Sequence, residues 1–191
     1  MMRIPYLLLA ACALPACAAG QGTPSPSPRP TIVILARHAE KASETETDPS
    51  LSARGRERAA ALGKTLADAR LTGVIVSERR RTHETAAPAA GAIVPDTARI
   101  AGGVADHARS VADLIRTRHA GGTVLVVGHS NTIPRVMTEL GAGPLPDICD
   151  AAYADLYIMI LDGVAAPRVI RASYGPADPP GAGDCPGMQA R

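Results

Sequence analysis

The sequence predicts an α/β chain: a three-layer α/β/α sandwich on a mainly parallel central sheet. Two observations predict it. The runs "TIVILA" from Thr31, "GVIVS" at 73–77 and "TVLVVGH" from Thr123 are continuously apolar, as strands covered on both faces are. Between them lie segments with apolar residues at helical spacing, so strand and helix alternate.

The elements follow in order. After the first strand, "LSARGRERAAALGKTLADARL" reads as a helix with Ser52 as N-cap and Ala59, Leu62 and Leu66 on one face. The second strand leads into a short helix through "RRTHETAAPAA". Val111, Leu114 and Ile115 mark a helix near 107–119, stopped by Gly121 and Gly122. Ile133, Val136, Met137 and Leu140 mark the helix after the third strand. "DLYIMIL" and "PRVIRASYG" read as two further strands, paired antiparallel at the sheet edge.

The 191 residues suit one domain, expected over residues 31–175, with a Pro/Gly-rich tail at 176–191. There is no Trp or Phe, so Leu, Val, Ile and Ala must fill the core. A formal charge of +2 gives no general pull on nucleic acid, so any anion site is local. Residues 1–18, with one basic residue before a short apolar stretch, read as an export signal. "LPAC" is similar to a bacterial lipobox and would leave Cys17 lipidated; "LAAC" would place the same event at Cys12, and cleavage before Ala19 would release a soluble product. Residues 19–30, with "TPSPSPRP", read as an extended Pro/Ser spacer. The location implied is the periplasm, with a possible membrane tether. In that compartment Cys149 and Cys185 are candidates for a disulfide that staples the tail to the domain; two free thiols are the alternative.

In parallel sheets ligands gather beyond the carboxyl ends of the strands. His38 lies just past the first strand, Arg81 past the second at a helix start, and His129 past the third. Two imidazoles among fixed cations suit a dianionic group, because guanidinium groups grip phosphate oxygens and a neutral imidazole can attack phosphorus. Neighbouring cations favour the neutral, nucleophilic form.

"ARHAEK" resembles the Arg-His-Gly signature of the histidine phosphatase, or phosphoglycerate mutase-like, superfamily. "LSARGRERAAAL" is similar to its helix after the first loop, "VSERRRTHETA" to its Ser-Pro-x-x-Arg-Ala-x-Gln-Thr-Ala segment, and "VLVVGHSNTIP" to the strand carrying its second histidine. The ordered set spans about residues 31 to 140. The resemblance implies a phosphomonoester hydrolase that needs no metal or cofactor. His38 is then the nucleophile, Arg37 and Arg81 grip the phosphoryl group, His129 completes the pocket and Lys41 adds a phosphate-binding cation. Ser77 and Thr85 shape the loop. Ala39 stands where the signature has Gly, narrowing the room beside the phosphate, and Glu78 stands where it has Pro. The proton donor is expected at Asp106, with Glu40 second and His107 behind.

Arg54, Arg56, Arg58, Arg79 and Arg80 are expected to face solvent, and so are His83, His107 and His119. Only 48 positions separate Arg81 from His129, too few for a large lid, which favours hydrolysis over a mutase. The substrate is expected to be a small phosphorylated molecule or a phosphorylated envelope glycolipid. Two other readings are a phosphate-binding module without catalysis and an esterase on Ser130, since "GHSNT" resembles a nucleophile elbow lacking its last Gly.

Overall fold

The computed structural model describes residues 29–163, 165–182 and 185. The leader, Cys17 and most of the spacer lie outside these residues. Among the described residues no helix is long and apolar enough to cross a membrane.

Six strands form one sheet: β1 (Thr31–Arg37), β2 (Gly73–Ser77), β3 (Asp96–Ala98), β4 (Thr123–Gly128), β5 (Asp155–Leu161) and β6 (Arg168–Ser173). Their order is β3-β2-β4-β1-β5-β6. The first four run parallel, β5 is antiparallel to β1, and β6 is antiparallel to β5. This is the architecture expected, with one strand more. β3 adds a short parallel edge beside β2.

The helices are α1 (Ala53–Thr65), α2 (Arg80–Ala90), α3 (Val104–Arg118) and α4 (Thr132–Met137), the last followed by a π turn over Thr138–Ala142. Successive strand residues point to opposite faces, and the two cores follow that period. Val33, Leu35, Val124 and Val126 meet Val111 and Ile115 of α3 and Ile133 of α4. Ile34, Ala36, Leu125 and Val127 meet Leu62 of α1 and Ala86 of α2. Both faces of the central strands are therefore dry, which is why these runs show no polar alternation.

α1 begins as its sequence indicates, with the Ser52 hydroxyl accepting from Gly55 N at 3.0 Å. Gly55 allows the helix to press on the loop after β1. A Cβ there would lie 2.3 Å from the Glu40 carbonyl oxygen.

Cys149 and Cys185 form a disulfide that closes a sequence separation of 36. Cross-linking a loop of that length restricts the unfolded chain. Replacing both cysteines by serine should lower the stability measured in chemical denaturation by about 3 kcal/mol. A loss below about 1 kcal/mol would show that the staple carries no load.

Candidate functional site

The parallel register decides where the chemistry-bearing turns fall. β1 pairs with β4 through Arg37↔Gly128, and β2 pairs with β4 through Val76↔Val127. The three strands thus end level, and His38 N donates to Gly128 O at 2.8 Å across the first gap. The His38 and His129 rings lie 5.2 Å apart between centroids, inclined at 64°. They line a polar cavity of about 400 Å³ together with Arg37, Lys41, Arg79 and Arg81. A larger cavity of about 530 Å³ opens at the other end of the sheet beside Thr31 and Leu161, and it contains neither histidine nor cysteine.

His38 is buried, and its Nδ1–H donates to the Ala39 carbonyl at 2.8 Å. That bond assigns the proton to Nδ1 and leaves the lone pair on Nε2. Burial pushes the His38 pKa down to about 3, and the cations Arg81, Arg37 and Lys41 add to it against the Ala39 hydrogen bond. The ring is neutral throughout the ordinary pH range, as a nucleophile must be.

His129 is fixed by a polar chain. Arg81 Nη2 donates to its Nδ1 at 3.3 Å, so the Nε2–H points to Ser77 Oγ at 2.9 Å. Ser77 contacts Thr82 Oγ1 at 3.1 Å, and Thr82 donates to Arg79 O at 2.7 Å. Burial, with His38 and Arg81 nearby, pushes the His129 pKa down to about 2. Thr85 accepts from Ala39 N at 3.0 Å and donates to Arg81 O at 2.7 Å, joining the loop after β1 to the start of α2.

Arg37 divides its donors. Nη1 bonds to the carbonyls of Cys149, Asp150 and Ala152 at 2.8, 2.9 and 3.1 Å, and the guanidinium lies 4.1 Å over the Tyr153 ring. Its main grip is therefore on the 149–152 loop. Its Nε is buried without a partner, as is Arg81 Nε. Buried donors left unpaired carry a penalty that an acceptor relieves, and an oxyanion in this cavity supplies one. Lys41 stands at the rim, paired with Glu44 at 2.5 Å.

The departures from the signature have local reasons. The Ala39 methyl packs with Leu51 and Ala59 instead of crowding the cavity. Glu78 accepts from Ile100 N at 3.1 Å and ties the loop after β2 to the segment before α3. Among the described residues no group of three or more His, Cys, Asp or Glu is arranged to hold a metal ion.

The structure does not bring the expected proton donors to this cavity. Asp106 sits on the outer face of α3, where it pairs with Arg109. The inward face of that helix is Ala108, Val111, Ala112 and Ile115, so periodicity turns Asp106 to solvent. Glu40 is held by Arg58, whose Nη2 reaches Oε1 at 2.8 Å, and by Arg54 Nε at 3.1 Å. Burial raises the Glu40 pKa, but these hydrogen bonds outweigh it and hold the carboxyl below its usual range. His107 is buried against Arg99 O at 3.4 Å.

The solvent exposure expected of His107, Arg58 and His119 is not found. Arg58 is fully buried, binding Glu40, Asp178 and the Tyr174 and Pro176 carbonyls. His119 packs against Asp96 at 2.9 Å. Arg79 lines the cavity, as do Asp147 and Asp150, which fall in none of the sequence motifs. The spacing of the two aspartates around buried Ile148 and Cys149 is the one signal that could have found them.

Two tests follow from this geometry. Asp106→Asn should change phosphate release by less than about twofold on good and poor leaving groups alike, as an exposed substitution does; a selective loss on poor ones would restore it as donor. The second concerns pH. His38, His129 and Glu40 all have folded pKa values below their unfolded ones. The unfolded chain then binds the extra protons, so stability is full above about pH 6.5 and falls as acid is added. Denaturation curves should show this loss from about pH 6.5 down to about pH 3, with Glu40 adding to it below about pH 4.5, flattened in His38→Gln or His129→Gln; a flat wild-type profile would contradict it.

The sequence model of the histidine phosphatase superfamily (branch 1) matches residues 33–100, which carry His38 and Arg81. No curated protein sequence matches. Among solved structures the fold is shared with a putative phosphohistidine phosphatase SixA from Nakamurella multipartitia, at TM-score 0.56 and 22% identity over 77% of this chain and 98% of that one. It is shared also with a mycobacterial glucosyl-3-phosphoglycerate phosphatase, at TM-score 0.59 and 17% identity over 78% and 100%. A third, named mycobacterial hydrolase 2, matches at TM-score 0.59 and 16% identity over 79% and 93%. Residues 33–100 are thus similar to the histidine phosphatase superfamily, and the chain shares the fold of these three proteins.

Proposed function

We propose that the protein is a phosphomonoester hydrolase that works through a phosphohistidine on His38 and needs no metal. One observation carries the reading: a neutral imidazole with its lone pair on Nε2 faces a second imidazole across a cavity edged by two guanidinium groups with unpaired buried Nε donors.

The Arg37 and Arg81 Nε groups bind oxygens of the entering phosphoryl dianion, with Lys41 and Arg79 supplying further positive charge. His38 Nε2 attacks phosphorus, the P–N bond forms as the P–O bond breaks, and positive side chains stabilise the charge on the equatorial oxygens. The dianion raises the pKa of His129, whose protonated ring then donates to a phosphoryl oxygen. The cavity is open to solvent and neither Asp106 nor Glu40 reaches it, so water protonates the departing alkoxide. A second water then cleaves the P–N bond and releases phosphate. In this reading the charge is handled by side chains, which is what supports metal independence.

The export signal, the spacer and lipidation at Cys17 belong to the same proposal. They place the hydrolase in the periplasm, on a tether of about 30–40 Å of extended chain if Cys17 is acylated. Mass spectrometry of the native N-terminus distinguishes an acylated Cys17 from a free Ala19.

An esterase on Ser130 gains nothing from the geometry. Ser130 offers its carbonyl to Ile148 N at 2.9 Å, and among the described residues its hydroxyl makes no hydrogen bond to an imidazole. The non-catalytic module is decided by experiment. The purified protein should release phosphate from p-nitrophenyl phosphate in the presence of chelator, and His38→Ala should lose at least about a thousandfold. Activity retained in that variant removes the nucleophile; activity lost to chelator points to a metal hydrolase.

A further inference from the structure

The cavity is not cationic on every side. One wall is the 147–152 loop, which brings two carboxylates, Asp147 and Asp150, to a site otherwise built for an anion. Placing carboxylates beside a phosphoryl pocket opposes binding, because like charges at close range repel.

These carboxylates are held there by construction. Ile148 N donates to Ser130 O at 2.9 Å, next to His129, and Ala152 N donates to Cys149 O at 2.9 Å. Arg37 binds three carbonyls of the same loop, and the disulfide anchors Cys149 to Cys185. Ile148 and Cys149 are buried, so the residues on either side of that pair are turned outward. Asp150 Oδ1 stands 3.8 Å from Arg37 Nη2, yet its side chain is fully exposed, so the pair leaves the carboxylate open to a ligand. Asp147 makes no hydrogen bond or ion pair among the described residues.

Arg37 ties the anion-binding side of the cavity to this loop. The Arg37 side chain is only 6% exposed and lines the cavity, and its buried Nε has no partner. An oxyanion seated on that donor lies close to the loop that Arg37 also holds. Whatever substituent leaves the phosphoryl group on the loop side meets Asp147 and Asp150.

We propose that the site selects zwitterionic phosphomonoesters, whose ester group carries an ammonium close to the phosphate, and rejects those with a second anionic group. The inference rests on the hydrolase reading for the position of the phosphoryl group. Asp147 and Asp150 receive the ammonium, while the cations and histidines receive the phosphate. The two exposed carboxylates act on affinity through charge, and each contributes modestly because solvent screens it.

Three phosphates of nearly equal size test this: 2-aminoethyl phosphate, ethyl phosphate and phosphoglycolate. Turnover of each by the full chain gives kcat/KM, and p-nitrophenyl phosphate reports separately whether the protein is a hydrolase at all. Calorimetric binding of the same three to His38→Ala reads selectivity without turnover. Aminoethyl phosphate should exceed ethyl phosphate, and ethyl phosphate should exceed phosphoglycolate, with about a tenfold spread from first to last. The spread should collapse in an Asp147→Asn/Asp150→Asn double variant, and Asp→Glu at both positions should retain the order.

Equal values across the three phosphates, or an order unchanged in the double variant, would overturn the proposal. A loss in that variant that is uniform across all three would do the same, since it assigns the aspartates to the chemical step. Preferred binding of aminoethyl phosphate without turnover of any ester would uphold the charge selectivity and sink the hydrolase reading.

Discussion

The backbone hydrogen bond from His38 N to Gly128 O is the contact on which the site depends. It is the last rung of the β1–β4 ladder, and it exists because the two strands run parallel and end in register. Parallel pairing puts all their C-terminal turns on one edge, so residues 91 positions apart, His38 and His129, become neighbours without any side-chain attraction. A one-residue slip in this register would turn every strand side chain to the other face. Val33 and Leu35 would leave one core, and Ile34 and Ala36 the other. Two dry cores therefore enforce the alignment that the chemistry uses.

Around that ladder, guanidinium groups act as structural ties. Arg58 binds Glu40 two residues after His38, then Asp178 and two carbonyls of the C-terminal segment. Arg37 does the same for the loop that carries Cys149. Each is buried, and the carboxylates or carbonyls around each offset the cost of taking its charge out of water. Glu40 is thereby committed to holding the loop after β1. The same carboxylate cannot be kept ionised by two arginines and also give up a proton during turnover.

Most of the fold was legible in the sequence because it rests on local pattern. Dense β-branched runs showed β1, β2 and β4, and Ser52 showed where α1 begins. The three-residue β3 has no apolar run, and its strand character comes only from pairing with β2. The rim residues His38, Arg81 and His129 were legible because strand ends and parallel order imply a common edge. Long-range partnership was not legible. The burial of Arg58 depends on carboxylates 18 and 120 positions away, so its polar helix reads as a solvated face. Asp106 shows a different error. Its position after the second arginine suggested a donor, while the apolar period of α3 already placed it on the outer face.

The central claim is that phosphorus bonds transiently to one named nitrogen. Rapid mixing with p-nitrophenyl phosphate, quenching into alkali to preserve phosphoramidates, and peptide mass spectrometry measure it directly. A phosphoryl group should appear on the peptide containing His38, formed within the first turnover and lost as substrate runs out. A phosphoryl group on Ser130 or His129 instead, or burst-free turnover with no labelled peptide, would contradict it.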